Sequence, residues 1–298
     1  MSDNIDFDNC LNYTIQENDK SVKEILLDEL NFSRRLTVKL EENKKVFLNG
    51  KPVRLKKRVY MDDVITVYFE DEKEDEYDPV EIPLNILYED DSMLIVDKPP
   101  FMVVHPTKSH FNDTLANGVR FYYDSKNIKS KIRLVNRLDM NTSGIVIIAK
   151  NSFIHNELSK QMKENVVEKY YYAIAEGTII QDSGTINAPI ARLNEDDIMR
   201  VVDSSGKECI THYEVIDRFN DMTLLRLKLE TGRTHQIRVH LKHIRHPIIG
   251  DTLYNKESSL INRQALHCSE MSFIHPITKK RIKIEADLPE DFKKIIKN

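Results

Sequence analysis

Arg137-Leu138-Asp139-Met140-Asn141-Thr142-Ser143-Gly144 runs directly into Ile145-Val146-Ile147-Ile148-Ala149. Five consecutive apolar residues read as a buried strand, and Thr-Ser-Gly reads as a tight turn ahead of it. One carboxylate thus stands between an arginine and a turn, held by backbone that a buried strand fixes. A catalytic group needs such rigid support. An isolated Arg-x-Asp is more often a surface ion pair worth little in stability, so the case depends on other stretches.

The first is Glu230-Thr231-Gly232-Arg233-Thr234-His235-Gln236-Ile237-Arg238-Val239-His240. Before it, Leu225, Leu227 and Leu229 alternate with Arg226, Lys228 and Glu230, which predicts a half-buried strand. Gly232 breaks the pattern. Ile237, Leu241 and Ile244 then recur at helical spacing. Arg233, Thr234 and His235 should therefore occupy a strand-to-helix turn, where N–H groups and two arginines favour an anion. The second is Glu168-Lys169-Tyr170-Tyr171-Tyr172-Ala173-Ile174-Ala175-Glu176-Gly177. In a strand, Tyr170 and Tyr172 face one side and Tyr171 the other. Core packing is the simpler reading for Tyr170 and Tyr172.

These strings closely resemble motifs of the RluA-type pseudouridine synthases: RLD-x-x-TSG at Arg137–Gly144, GRTHQIR at Gly232–Arg238, and K-x-Y-x-A-x-x-x-G at Lys169, Tyr171, Ala173 and Gly177. Weaker matches follow the family's order over about 180 residues: Tyr88–Asp91 with Val96–Pro100 and Val103–Pro106, His246–Asp251 with Tyr254, and Arg263–His267. The resemblance implies an isomerase that converts uridine to pseudouridine within RNA, without cofactor or metal. It implies Asp139 as the essential carboxylate, Tyr171 stacking on the base and assisting proton removal, and Arg238 pairing with Asp139. An adjacent arginine favours the ionised, nucleophilic form of a partly buried Asp. Arg137 would support the extruded nucleotide or a neighbouring phosphate. Arg233 and His235 would contact the RNA backbone or serve as scaffold, and Leu266 is core. Breaking N1–C1′, rotating the base and joining C5 to C1′ lets Asp139 either bond to the sugar or act as a base at C2′. The target base must first leave its stack.

Two positions depart from the family pattern. Asn136 stands where His is usual, and still donates and accepts hydrogen bonds. Phe101 stands where Gly is usual, so the loop after Lys98-Pro99 is expected to bend differently.

The 298 residues are 40% hydrophobic and 31% charged, and suit one large or two domains. No apolar run approaches the ~20 residues of a membrane span. The polar, acidic start is no signal peptide, and three scattered cysteines form neither a disulfide framework nor a metal cluster. A cytoplasmic monomer is expected. Net charge is −4, but Arg34 to Arg58 holds ten Lys/Arg against Glu41 and Glu42, and Glu70 to Asp78 holds seven acids against Lys73. A basic module beside an acidic connector fits RNA better than the total suggests.

Residues 1–17 read as a tail and 70–84 as an acidic linker. Residues 18–69 read as a small module: Val22, Ile25, Leu26 and Leu30 on one helix, a second helix from Ser33, an Asn49-Gly50 hairpin, and a closing strand over 64–68. This resembles the S4 RNA-binding domain, which places RNA contacts on Arg34, Arg35, Lys39, Lys44, Lys45 and Lys51. Residues 85–298 read as a catalytic domain of α+β class with a mixed, mainly antiparallel sheet. The resemblance adds a central cleft with the Asp on its floor. Ser152 is expected to cap a helix with Leu158 and Met162 inward, and a terminal helix begins at Leu288–Phe292.

Rival readings are weaker. His235, His240, His243 and His246 crowd one segment but lack zinc-site spacing. Ser143 lacks a G-x-S-x-G elbow. An RNA-binding assembly factor would need no Asp139, Tyr171 and Arg238 together. Members with an S4 module mostly modify large-subunit ribosomal RNA, so the resemblance favours bacterial 23S rRNA over transfer RNA.

Overall fold

Short apolar runs need partners for their backbone as well as cover for their side chains. The computed structural model, which describes residues 10–69, 77–194 and 197–297, supplies both. Its N-terminal part contains β1 (Cys10–Thr14), helix α1 (Arg34–Glu42), β2 (Val46–Leu48), β3 (Lys51–Pro52) and β4 (Val64–Tyr68). These strands form an antiparallel sheet in the order β1-β4-β2-β3. Val22, Ile25, Leu26 and Leu30 are all fully buried, on one turn of α-helix that widens into a π-type turn over Ile25–Glu29. Ser33 caps α1 by accepting from the Leu36 N–H, and Asn49-Gly50 turns the β2–β3 hairpin with positive φ at both residues. The expected tail is corrected at its inner end. Cys10–Thr14 pairs residue for residue with β4, and Leu11 and Ile15 are buried. Of the tail, 1–9 lie outside the described residues, as do 70–76 of the linker.

The larger part contains β5 (Asn85–Glu89), β6 (Met93–Lys98), α2 (Leu115–Ser125), β7 (Ser143–Ala149), α3 (Ser152–Lys163) and β8 (Glu168–Glu176). It continues with β9 (Ser183–Asn187), β10 (Ile210–Phe219), β11 (Met222–Leu229), α4 (Gln236–His243), β12 (Leu266–Ile274), β13 (Arg281–Glu285) and α5 (Glu290–Lys297). The sheet runs β9-β10-β11-β8-β12-β7-β6-β5. Among the described residues its pairings are antiparallel except β7 with β12. All seven residues of β7 are buried. Burying each of its Ile and Val side chains stabilises the fold by roughly 1.5–3 kcal/mol. Phe32 and Phe69 of the N-terminal part pack on Phe153 of α3, with the Phe32 ring 4.3 Å from it.

The β7–β12 seam positions the candidate site. Only Ser143 and Gly144 pair with β12, opposite His267 and Cys268. Beyond them the Asn136 side chain takes over the edge of β7: its amide donates to the Ile145 carbonyl and accepts from the Ile147 N–H, both at 2.9 Å. Leu134 and Arg133 then pair with Ile148 and Ala149. The segment 133–139 is thus laid along the edge of β7 that β12 leaves, and it ends at Asp139.

Three local expectations change. The tight turn spans Asp139 to Thr142, closed by Thr142 N–H on the Asp139 carbonyl at 3.0 Å, while Ser143 and Gly144 already belong to β7. Asn151, not Ser152, caps α3, accepting from the Ile154 N–H; its short side chain reaches that donor from an extended backbone. Phe101, expected to lack glycine's freedom, nonetheless takes a left-handed backbone, with φ +62°. Tethers to either side impose it, Lys98 through its side chain and Met102 through its N–H.

Candidate active site

Asp139 lies at a cavity of about 940 Å³ whose walls include Arg137, Met140, Lys169, Tyr171, Arg233, Thr234 and His235. The loop carrying it is tied down from several sides. Lys98 is fully buried and gives its ammonium to the carbonyls of Pro99, Met102 and Met140 at 2.8, 2.9 and 3.0 Å. Arg263, also buried and ion-paired to Asp291, donates to the Asn141 carbonyl. Gln264 reaches Thr142, and Ser143 meets His267. Three of these anchors come from residues close to or within β12, on the far side of the seam.

Arg238 rises from α4 and bridges two carboxylates. Its Nη1 donates to Asp139 Oδ2 at 2.9 Å, while Nε and Nη2 donate to Asp251 at 2.7 and 2.8 Å. Asp251 is fully buried and the Asp139 side chain is 31% exposed. The shared guanidinium is therefore fixed from behind and presents one N–H forward. Asp139 Oδ1 takes no hydrogen bond from the described residues. His235 begins α4 with φ +59°, an uncommon conformation for a residue with a side chain. Its ring stands between the Tyr254 hydroxyl, 2.8 Å from Nδ1, and Asp139, 3.7 Å from Nε2. Burial lowers its pKa below the usual histidine range.

The alternation of β8 is as read from the sequence. Lys169, Tyr171 and Ala173 are buried, and Tyr170 and Tyr172 on the opposite face are half-buried. Tyr172 packs against the core. Tyr170 is no core residue: it lies under the Arg226 guanidinium, 4.1 Å from ring centre. Burial, with Cys268 alongside, holds the Tyr171 phenol well above its ordinary pKa.

The anion site expected at the strand-to-helix turn is reduced. Arg238 is committed to carboxylates, and the Arg233 N–H is taken by Gln236 Oε1. Gln236 also binds Thr231, Thr211 and the Ile210 carbonyl, locking the turn. The exposed Arg233 side chain and Arg137 remain on the cavity wall. Of the clustered histidines, His240 bridges Thr211 and the Ala188 carbonyl, and His246 meets the Glu176 carbonyl. Neither joins His235 at the cavity. Arg34, Arg35, Lys39, Lys44 and Lys51 are exposed and Lys45 half-exposed, on α1 and around the β2–β3 hairpin. They belong to the other part of the molecule and do not line this cavity. Sequence reasoning gave no role to Lys98, Asp251 or Lys169. Each stood in a quoted motif, which was the available signal.

Residues 92–243 match the family model for RNA pseudouridylate synthases. The chain is 40% identical over 271 residues to the uncharacterized RNA pseudouridine synthase YjbO of Bacillus subtilis, covering 90% of this chain and 96% of that one. It is 38% identical over 270 residues to the ribosomal large subunit pseudouridine synthase D of Haemophilus ducreyi, covering 86% and 83%. Human RNA Pseudouridylate Synthase Domain Containing 4 has the same fold, with a TM-score of 0.60 at 20% identity over 72% of this chain and 92% of that one.

Proposed function

We propose, since the chain belongs to the RNA pseudouridylate synthase family and so isomerises uridine to pseudouridine within RNA, that Asp139 is the group that acts on the ribose of an extruded uridine in the cavity beside it. The observation that carries this is the Arg238 bridge. A carboxylate that lines an open cavity, held at one oxygen by a fixed guanidinium and with no hydrogen bond to the other from the described residues, is placed to act on a sugar. Bonding to C1′ and proton removal at C2′ both start from that oxygen. Arg238 positions the carboxylate and offsets its charge. Tyr171 provides the surface on which the base stacks. A buried phenol kept protonated is a poor base, so proton removal at C5 is not assigned to it. Arg137 and Arg233 hold the RNA backbone at the rim, with His235 as scaffold.

The substrate proposed is large-subunit ribosomal RNA. Support comes from the relative of Haemophilus ducreyi, whose name specifies the ribosomal large subunit, and from the N-terminal part. Its helices, Asn-Gly hairpin and closing strand follow the S4-like pattern, with Arg34, Arg35, Lys39, Lys44, Lys45 and Lys51 as the RNA-facing set. The test incubates unmodified ribosomal and transfer RNA separately with wild type and Asp139→Asn, then maps pseudouridine at nucleotide resolution. Site-specific product in ribosomal RNA from wild type alone is expected. Product from Asp139→Asn overturns the carboxylate assignment, and product confined to transfer RNA overturns the substrate.

A further inference from the structure

Lys169 is a largely buried lysine whose ammonium has no ion-pair partner among the described residues. It lies in the middle of the sheet, on β8 between β11 and β12, with its Cα opposite Met271. It is 8% exposed, and no described residue makes a hydrogen bond or ion pair with its ammonium. The other deeply buried cations are all satisfied: Lys98 by three carbonyls, Arg238 by two carboxylates, Arg263 by Asp291. Its stem is packed in the sheet and its ammonium opens only onto the cavity, so partial loss of water lowers its pKa. An ammonium that opens onto a cavity, with no protein anion of its own among the described residues, is free to take an anion that enters there.

The geometry gives the direction. Lys169 shares a strand face with Tyr171, two residues on, and both line the cavity that contains Asp139. Its Nζ sits beside the start of the turn to α4: a Cβ built on Gly232 would stand 3.8 Å from it. That wall also carries Arg137, Lys163 and Arg233, and Asp139, the one carboxylate among its described residues, is already paired with Arg238. A compact ammonium in a site short of anions is best satisfied by a full negative charge, and RNA offers that in its phosphates. We infer that Lys169 binds a phosphate oxygen of the RNA next to the extruded uridine, and thereby sets how deeply the nucleotide enters. Lys169 is then a substrate-positioning residue of the interior, separate from the rim arginines. The inference rests on RNA occupying this cavity as proposed above.

The test compares full-length wild type, Lys169→Met and Lys169→Arg on unmodified ribosomal RNA transcripts. Single-turnover pseudouridine formation is followed over a range of enzyme concentrations at several salt concentrations, and each free protein is melted. With Lys169→Met the half-saturating concentration should rise about tenfold and the slope of its logarithm against log salt should fall by roughly 0.7–0.9, one phosphate contact. The maximal rate should change less than threefold. Lys169→Arg should restore both binding readouts. The melting temperature of Lys169→Met should equal or exceed that of wild type, because a partly desolvated charge has gone. An unchanged salt slope, or a melting temperature that falls together with affinity, overturns the inference and makes Lys169 structural. Failure of the Asp139 assignment would show separately, since none of these readouts depends on which carboxylate acts.

Discussion

Arg238 and Asp251 form a two-bond ion pair, Nε at 2.7 Å and Nη2 at 2.8 Å, buried at both ends. Asp251 never reaches the cavity, yet it decides where the third guanidinium nitrogen points, and that nitrogen holds Asp139. Gly250 allows the arrangement: its φ is +69°, and a Cβ there would fall against the Arg263 carbonyl.

Asp251→Asn should separate this orienting effect from binding. The amide keeps the shape but turns N–H donors toward a guanidinium and removes the balancing charge. Breaking a buried pair from one side costs about 3–5 kcal/mol, to be read by denaturant unfolding. Small misplacement of a reacting group costs about 10²-fold in rate. The maximal rate should therefore fall by that order while the half-saturating RNA concentration moves little. A stability loss with an undiminished rate would show that Asp139 does not need Arg238 held in place.

Lys98 predicts a pH dependence. Burial, with Arg263 adding repulsion, pushes its pKa down to about 7, against about 10.4 in an unfolded chain. Below about pH 7 both states carry the proton and the full penalty for burying the charge is felt. Between about 7 and 10.4 the unfolded chain binds more protons, so this group makes stability rise with pH, by up to about 1.4 kcal/mol per unit. Lys98→Met should lack that rise when denaturant midpoints at pH 7 and 9 are compared. Activity should move the opposite way in wild type, because a neutral amine has two hydrogens for three carbonyls and the Met140 tether loosens. If Lys98→Met shows the wild-type stability difference between the two pH values, the rise belongs to another group.

The legible parts of this fold are those written in periodicity and turn chemistry. The apolar run 145–149, the alternation 225–230, the Asn49-Gly50 hairpin and the helix from Gln236 all stand as read. The Asp139–Arg238 contact joins residues 99 apart, a separation no local pattern spans; only the family resemblance brought them together. Lys98 escaped notice because its partners are backbone carbonyls, which are blind to sequence. Asp251 escaped because Gly-Asp is ordinary loop chemistry until its buried partner is seen. The strand Cys10–Thr14 was missed for a similar reason: its pairing lies fifty or more residues away, and five mixed residues carry no period of their own.

Two backbone positions near the site predict opposite responses. Gly144 has φ +117°, and a Cβ there would collide with the Cys268 carbonyl where β7 meets β12. Gly144→Ala should cost several kcal/mol, about 3 or more, because the obstruction is backbone in a paired strand. Phe101 has φ +62° and is 49% exposed. Phe101→Gly removes about 1–2 kcal/mol of left-handed strain and adds up to about 1 kcal/mol of unfolded-state entropy. Its unfolding midpoint should therefore match or exceed wild type. A destabilised Phe101→Gly would mean that the aromatic ring contributes packing that outweighs its backbone strain.

Asn136 gives the sharpest test of how the seam supports Asp139. Its amide supplies β7 with the donor and acceptor that β12 stops providing after Gly144, and it stands three residues before the carboxylate. Asn136→Asp retains an acceptor for the Ile147 N–H but has no donor for the Ile145 carbonyl, which would then be left unpaired. Asn136→Ala leaves both groups without a partner. An orphaned buried group costs about 1–3 kcal/mol, so Ala should lose more stability than an unpaired carbonyl alone explains. Because the same amide ties down the segment that ends in Asp139, the maximal rate should fall with stability in both variants. Loss of stability alone would mean that the 139–142 loop is positioned wholly by Lys98, Arg263 and Gln264. In that case pairing Lys98→Met with Asn136→Ala would give additive stability losses and no coupling in rate.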